Sequence, residues 1–156
     1  MSGAFPIASR RKRVAAMLAD ALLDLIAPVL LRGTASSSLP SNPRVLLIRC
    51  DHIGDSAMAA AVLGPIREAL GASRLDVLAA PWAAALFREH PAVDEVITVT
   101  TPWWMATRGA SRRDRAKAWG PLYAVVRRIR DGHYDVGIDL RGDLRQILFF
   151  GSRTMR

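Results

Sequence analysis

The stretch "VLLIRCDHIGDSAMAAAVLGPIREAL", Val45 to Leu70, constrains the fold more than any other part of the chain. Val45 to Arg49 reads as a strand of nearly continuous apolar character, the kind buried on both faces of a parallel sheet. A polar turn follows, Cys50-Asp51-His52-Ile53-Gly54-Asp55, and then an alanine-rich helix over Ser56 to Leu70. Its inward face would hold Ala59, Val62, Leu63, Ile66 and Leu70. A strand hidden on both sides needs helices on both sides, so this strand–helix step implies a layered α/β sheet.

The alternation continues. Leu75 to Ala79 reads as a second strand, Trp82 to Glu89 as a short helix closed by Pro91, and Val96 to Val99 as a third strand. Arg115 to Arg130 reads as a long basic helix with Leu122, Val125, Val126 and Ile129 turned inward. Tyr134 to Leu140 is the fourth strand, and Leu144 to Phe150 begins another helix. The expected fold class is α/β, a doubly wound, Rossmann-like parallel sheet.

The first forty residues differ. "RRKR", Arg10 to Arg13, precedes an apolar stretch broken by Asp20, Asp24 and Pro28. Two acids one turn apart argue against a membrane span, and Asp20 interrupts what would be a signal-peptide core. Two readings remain: a helix lying at an anionic membrane surface, or one packed on the protein's own body. "GTASSSLPSNP" from Gly33 to Pro43 has linker composition. The expected organisation is a basic amphipathic helix over 1–32, a linker over 33–43 and a folded domain over 44–156.

Charge narrows the partners. The net +8 divides into +3 over residues 1–40, −2 over 41–100 and +7 over 101–156. Such asymmetry fits an anionic partner, or else a plain arginine-rich surface. No nucleic-acid-binding signature accompanies the basic segments, so nucleic acid is not an expected partner. The single cysteine, Cys50, cannot form an intramolecular disulfide and fits a reducing compartment.

Two strand ends are unusually polar, and ligands of doubly wound sheets bind at strand carboxyl ends. "CDHIGDS" follows the first strand and "DLRGDLR", Asp139 to Arg145, the fourth. Each has an acid, two residues, a glycine and an acid, with Gly54 or Gly142 allowing a tight turn or positive φ. The glycine fingerprints of dinucleotide and P-loop sites are missing, as is a nucleophile elbow. His52, His90 and His133 lack metal-ligand spacing, and no metal site or cofactor is expected. Asp55 then has two readings: a cap of the Ser56 helix, or a general base facing a substrate hydroxyl.

The segment from Pro43 to Phe150 resembles the N-terminal half of glycosyltransferase family 9, the lipopolysaccharide heptosyltransferases and their relatives. The features that carry the resemblance are R-x-D-x-x-G-D at the first strand end, P-x-V-D-E-V-I before the third strand and Y-D-x-x-I-D-L-R-G at the fourth. The resemblance implies a GT-B architecture of two Rossmann-like domains, the N-terminal one binding the acceptor. The C-terminal one binds a nucleotide-sugar donor such as ADP-heptose. It also implies inverting transfer without a catalytic metal, with Asp55 as base, to a glycolipid or lipopolysaccharide-core acceptor.

Candidate substrate-binding residues are Gly54, His52 and Asp51 from the first turn, and Arg141, Gly142 and Arg145 from the second. Asp51 and His52 either shape the cleft or merely finish the turn. Trp103 and Trp104, in an expected loop from Thr100 to Asp114, read as an acceptor- or membrane-facing flap, or as indoles packed beneath it. The expected location is cytoplasmic, peripheral at the inner face of the inner membrane. Family members are much longer, so the resemblance implies an incomplete domain: a truncated enzyme, half of a split one needing a partner chain, or an inactive acceptor-binding remnant. A small nucleotide-binding α/β protein is the remaining alternative.

Overall fold

The computed structural model describes residues 39–50 and 52–141, together with Gln146 and Phe150. The helix expected over 1–32, most of the linker, Asp51, Gly142 and Arg145 lie outside the described residues. So does the helix over 144–150, apart from its two described positions.

Four strands form one parallel sheet: β1 (Arg44–Arg49), β2 (Arg74–Ala79), β3 (Glu95–Thr98) and β4 (Val136–Asp139). Their spatial order is β3-β2-β1-β4. The chain steps outward from β1 to β3 and then crosses back to place β4 on the other side of β1. That reversal is the switch point at which doubly wound sheets open a ligand crevice. The α/β, Rossmann-like expectation is met.

Six helices connect the strands: α1 (Ile53–Ala60), α2 (Leu63–Leu70), α3 (Ala85–Arg88), α4 (Pro102–Thr107), α5 (Arg112–Lys117) and α6 (Trp119–Asp131). Alternate residues of β1 serve opposite cores. Val45 and Leu47 pack with Leu63, Val77, Ala83 and Phe87 on the α2 and α3 side. Leu46, Ile48 and Cys50 pack with Leu122, Val126, Ile129 and Phe150 on the α6 side. Every β1 residue from Val45 to Ile48 is at most 1% exposed, which is why the strand reads as an unbroken apolar run.

Two helices expected to be continuous are each divided, for the same reason. Ser56–Leu70 is α1 and α2, and Arg115–Arg130 is α5 and α6. Gly-Pro stands at the second and third positions of both α2 (Gly64-Pro65) and α6 (Gly120-Pro121). Proline has no N–H for the preceding turn and its ring crowds the carbonyl four residues back, so a helix restarts there. The bonds Ile66 N–H to Val62 O at 3.0 Å and Leu122 N–H to Ala118 O at 3.1 Å begin the new ladders. The break also leaves Val62 41% exposed rather than inward. α5 starts earlier than expected because Ser111 caps it: its Oγ accepts from the Asp114 N–H at 3.1 Å and donates to the Asp114 carboxylate.

The amino edge of the sheet is fastened by polar groups. Asp76, fully buried on β2, accepts from Arg74 Nε at 2.8 Å and from the Tyr134 hydroxyl at 2.5 Å. Glu95 accepts from Arg74 and from Arg128. Asp94 accepts from the Leu75 N–H at 2.7 Å and from Arg67 at 2.9 Å. Asp135 accepts from the Arg44 N–H at 2.8 Å. A buried carboxylate is tolerable only with such partners.

Candidate functional site at the carboxyl edge of the sheet

The parallel register brings four strand ends together. Arg49 pairs with Ala79, Ala79 with Thr98, and Ile48 with Asp139. The segments leaving these positions therefore emerge along one edge: His52 with α1, Trp82 after β2, α4 after β3, and Arg141 after β4.

Asp55 sits in the first turn of α1, whose N-cap position is His52. Asp55 is not the N-cap residue of this helix, which begins at Ile53 with Asp55 as its third residue. A helix start carries partial positive charge, which favours a carboxylate there. The Asp55 side chain is 45% exposed, so it is open to a substrate on one side. On the other, an Arg49 guanidinium nitrogen stands 3.6 Å from its Oδ2. The Arg49 side chain is only 11% exposed, anchored at the end of β1. Arg49 thus presents a fixed positive charge beside the acid without a close two-pronged clasp that would occupy both oxygens.

Gly54 corrects one expectation. It has no positive φ: the positive-φ glycines among the described residues are Gly71 and Gly109. It is the second residue of α1, and an added Cβ would meet nothing within 4 Å. The tight turn does not require it.

His52 does not cap α1 with its side chain, although its carbonyl accepts from the Ser56 N–H at 3.0 Å. Its ring instead meets the edge of Trp104, 4.8 Å between centroids at 76°. Trp104 lies on α4 and stacks on Trp82, 5.3 Å apart at 27°. The Arg108 guanidinium stands 5.5 Å from the Trp104 ring centre. Trp103 packs against the α6-side core, and Trp104 packs against rings of the neighbouring segments at this edge. The segment holds a helix, α4, where a loop was expected. Arg49, Trp82 and Arg108 are not among the residues that the sequence motifs single out for a function. A tryptophan just past the second strand end was the available signal.

At β4 the Arg141 N–H donates to Asp139 Oδ1 at 2.9 Å, a local turn that shapes the chain as it leaves the strand. Arg141 is exposed at the same edge, so the structure brings Asp55, Gly54, His52 and Arg141 to one side of the sheet. Among the described residues no three His, Cys, Asp or Glu side chains form a group able to hold a metal ion. No helix among them is long and apolar enough to cross a membrane.

No protein-family model and no curated protein matches the chain. Among solved structures, the E. coli heptosyltransferase WaaC with ADP-2-deoxy-2-fluoro heptose is similar, with TM-score 0.54 and 21% identity. The likeness shows the fold. It covers 68% of this chain and 32% of that chain, so this sequence corresponds to a minor part of the WaaC chain. What the two share is an α/β, Rossmann-like arrangement of parallel strands and flanking helices.

Proposed function

We propose that the chain is the acceptor-binding part of a family 9-type glycosyltransferase, with Asp55 as general base. The observation that carries this reading is the half-exposed Asp55 carboxylate, at a helix start on the ligand edge of the sheet and beside the anchored Arg49. In the proposed step an acceptor hydroxyl oxygen attacks the anomeric carbon of a nucleotide-activated sugar from the face opposite the leaving group. Its proton passes to Asp55, the anomeric carbon–oxygen bond to the diphosphate breaks, and the nucleoside diphosphate departs. The configuration inverts.

Arg49 holds the carboxylate in place, and Arg141 contacts the acceptor with the help of Gly142 and Arg145 from the same turn. A facing domain, on the same or a partner chain, supplies a donor such as ADP-heptose. The acceptor is a glycolipid or lipopolysaccharide-core sugar at the inner face of the inner membrane. Residues 1–32 serve as the basic docking helix and 33–43 as its tether. Support for this assignment comes from the Rossmann-like fold, the three sequence motifs and the position of Asp55.

The test is transfer from ADP-heptose to a core-sugar acceptor by the full chain supplied with a donor domain, followed by the same assay on Asp55→Asn. A general base contributes about 10²- to 10⁴-fold, so a loss of that size with unchanged folding is expected. Undiminished turnover by Asp55→Asn would remove Asp55 as the base.

A further inference from the structure

The helices on the two faces of the sheet differ in charge. On one side, α1, α2 and α3 carry two basic residues, Arg67 and Arg88, against two acids, Asp55 and Glu68. On the other, α5 and α6 carry seven basic residues against two acids. Those two acids stand aside from the excess, since Asp114 is held by Ser111 at the start of α5 and Asp131 ends α6.

The basic residues share a surface. Ala118, between the two helices, is itself helical at φ −72° and ψ −15°, so their outward faces follow one another. Leu122, Val126 and Ile129 turn into the core, while Arg112, Arg113, Lys117, Tyr123 and Arg127 are exposed. Ala116, Gly120 and Ala124 are exposed among them and too small to screen the longer side chains. Tyr123, at 68% exposure, is the most exposed tyrosine or tryptophan among the described residues. The face also has a direction. Arg128, near the end of α6, reaches Glu95 at the start of β3, and the chain then enters β4 from the amino edge. The 13 residues of α6, at about 1.5 Å each, carry its start back to the carboxyl edge that holds Asp55.

We propose that this face of α5 and α6 docks the protein on an anionic phospholipid surface. Arg112, Arg113, Lys117 and Arg127 lie among the headgroups, with Tyr123 at the interface. The choice of a membrane among polyanions rests on the reading of a glycolipid acceptor, and the proposal adds a surface of the folded domain to residues 1–32. Each Lys or Arg held near an anionic bilayer strengthens binding about fivefold, and the field fades within a Debye length. Cations gathered on one exposed face are therefore worth more than the same number scattered. Arginine and lysine stems are apolar, and a phenol ring settles at headgroup level. Docked this way, the carboxyl edge lies beside the bilayer, where a sugar carried on lipid can reach it.

Nucleic acid fits this face less well. Duplexes take a helix or ribbon into a groove, and single strands use rows of stacking rings. Here Tyr123 stands among cations and small residues on a convex wall.

Flotation of the full chain with phosphatidylglycerol or phosphatidylcholine vesicles tests this, together with a Tyr123→Cys form labelled with the environment-sensitive dye NBD. Cys50 is 3% exposed, so the label goes to position 123. The expected result is binding to phosphatidylglycerol alone, with a blue shift of the label. Arg112→Gln, Arg113→Gln, Lys117→Gln and Arg127→Gln combined should weaken that binding by about tenfold or more. Near-UV circular dichroism reports that each variant is folded. A label that stays in water while the chain binds vesicles, or glutamine substitutions that leave binding unchanged, overturn the surface and leave docking to residues 1–32. Single-stranded DNA bound more tightly than vesicles at matched phosphate, and lost with the same substitutions, overturns it in favour of nucleic acid. Asp55-dependent transfer without any vesicle binding overturns the surface alone. If the vesicle results hold but the chain supplied with a donor domain transfers no sugar, the surface stands and the glycosyltransferase reading falls.

Discussion

Asp76 and Asp55 are both aspartates beside an arginine, and their surroundings separate them. Asp76 is 0% exposed and closed off by Arg74 and Tyr134, so it holds the fold. Asp55 is half-exposed beside Arg49 and has an open side, so it can meet a substrate. Burial raises the Tyr134 pKa above its usual value, and the hydrogen bond to Asp76 raises it further. Because the folded-state value is the higher one, this tyrosine's contribution is complete below the unfolded pKa of about 10 and is lost as pH rises beyond it. Tyr134→Phe should cost about 1.5–3 kcal/mol near neutral pH, the range for a hydrogen bond to a charged group. It should also flatten the alkaline decline in stability. Urea melts of both proteins from pH 8 to pH 11 measure both effects.

At the scale of elements, the joint between α6 and β4 is the tightest. A Cβ at Gly132 would come within 2.6 Å of the Tyr134 ring and 3.1 Å of the Ile129 carbonyl. That ring is buried and its hydroxyl is tied to Asp76, so it cannot swing aside cheaply. Gly132→Ala should destabilise by about 1–3 kcal/mol, the usual range for overpacking. Tyr134→Phe in the same background should recover part of that loss, because freeing the ring from Asp76 lets it move. A double-mutant cycle in urea decides this; strictly additive effects would show that the ring is not the obstacle. The Gly-Pro restarts in α2 and α6 belong to this scale too. Helical periodicity runs unbroken through both, and only the missing proline N–H reveals the division.

For the whole molecule, the parallel register sorts the polar residues into two populations. Asp94, Glu95, Tyr134 and Asp135 gather at the amino edge, where they tie strands and helices together. Asp94 fastens α2, β2 and the start of β3 at once, so its protonation is felt across that side of the sheet. Burial pushes its pKa up, but the Leu75 N–H and the Arg67 guanidinium outweigh this and leave it below its usual value. A depressed folded-state pKa gives stability that is present above the unfolded value of about 3.9 and is lost as pH falls below it. Thermal melts from pH 6 to pH 2.5 should show that acid limb reduced in Asp94→Asn. An acid limb identical to the wild type's would remove Asp94 as its source.

The sequence by itself determined the α/β class, the four strands to within about two residues, the two-sided burial of β1 and the polar turn that carries Asp55. These follow from local information: an apolar run, a period of 3.6, and an acid next to a helix start. It also marked Asp94, Glu95 and Tyr134 as parts of motifs, without showing that they lie at the edge opposite the candidate site. Only the tertiary structure decided which residues meet. Arg49 is paired with Asp55 because β1 ends where α1 turns back. His52, Trp82 and Trp104 lie far apart along the chain, and they meet because parallel pairing brings successive strand ends to the same edge. Sequence spacing carries no trace of that convergence, since it arises from the order β3-β2-β1-β4 and the register of the ladders.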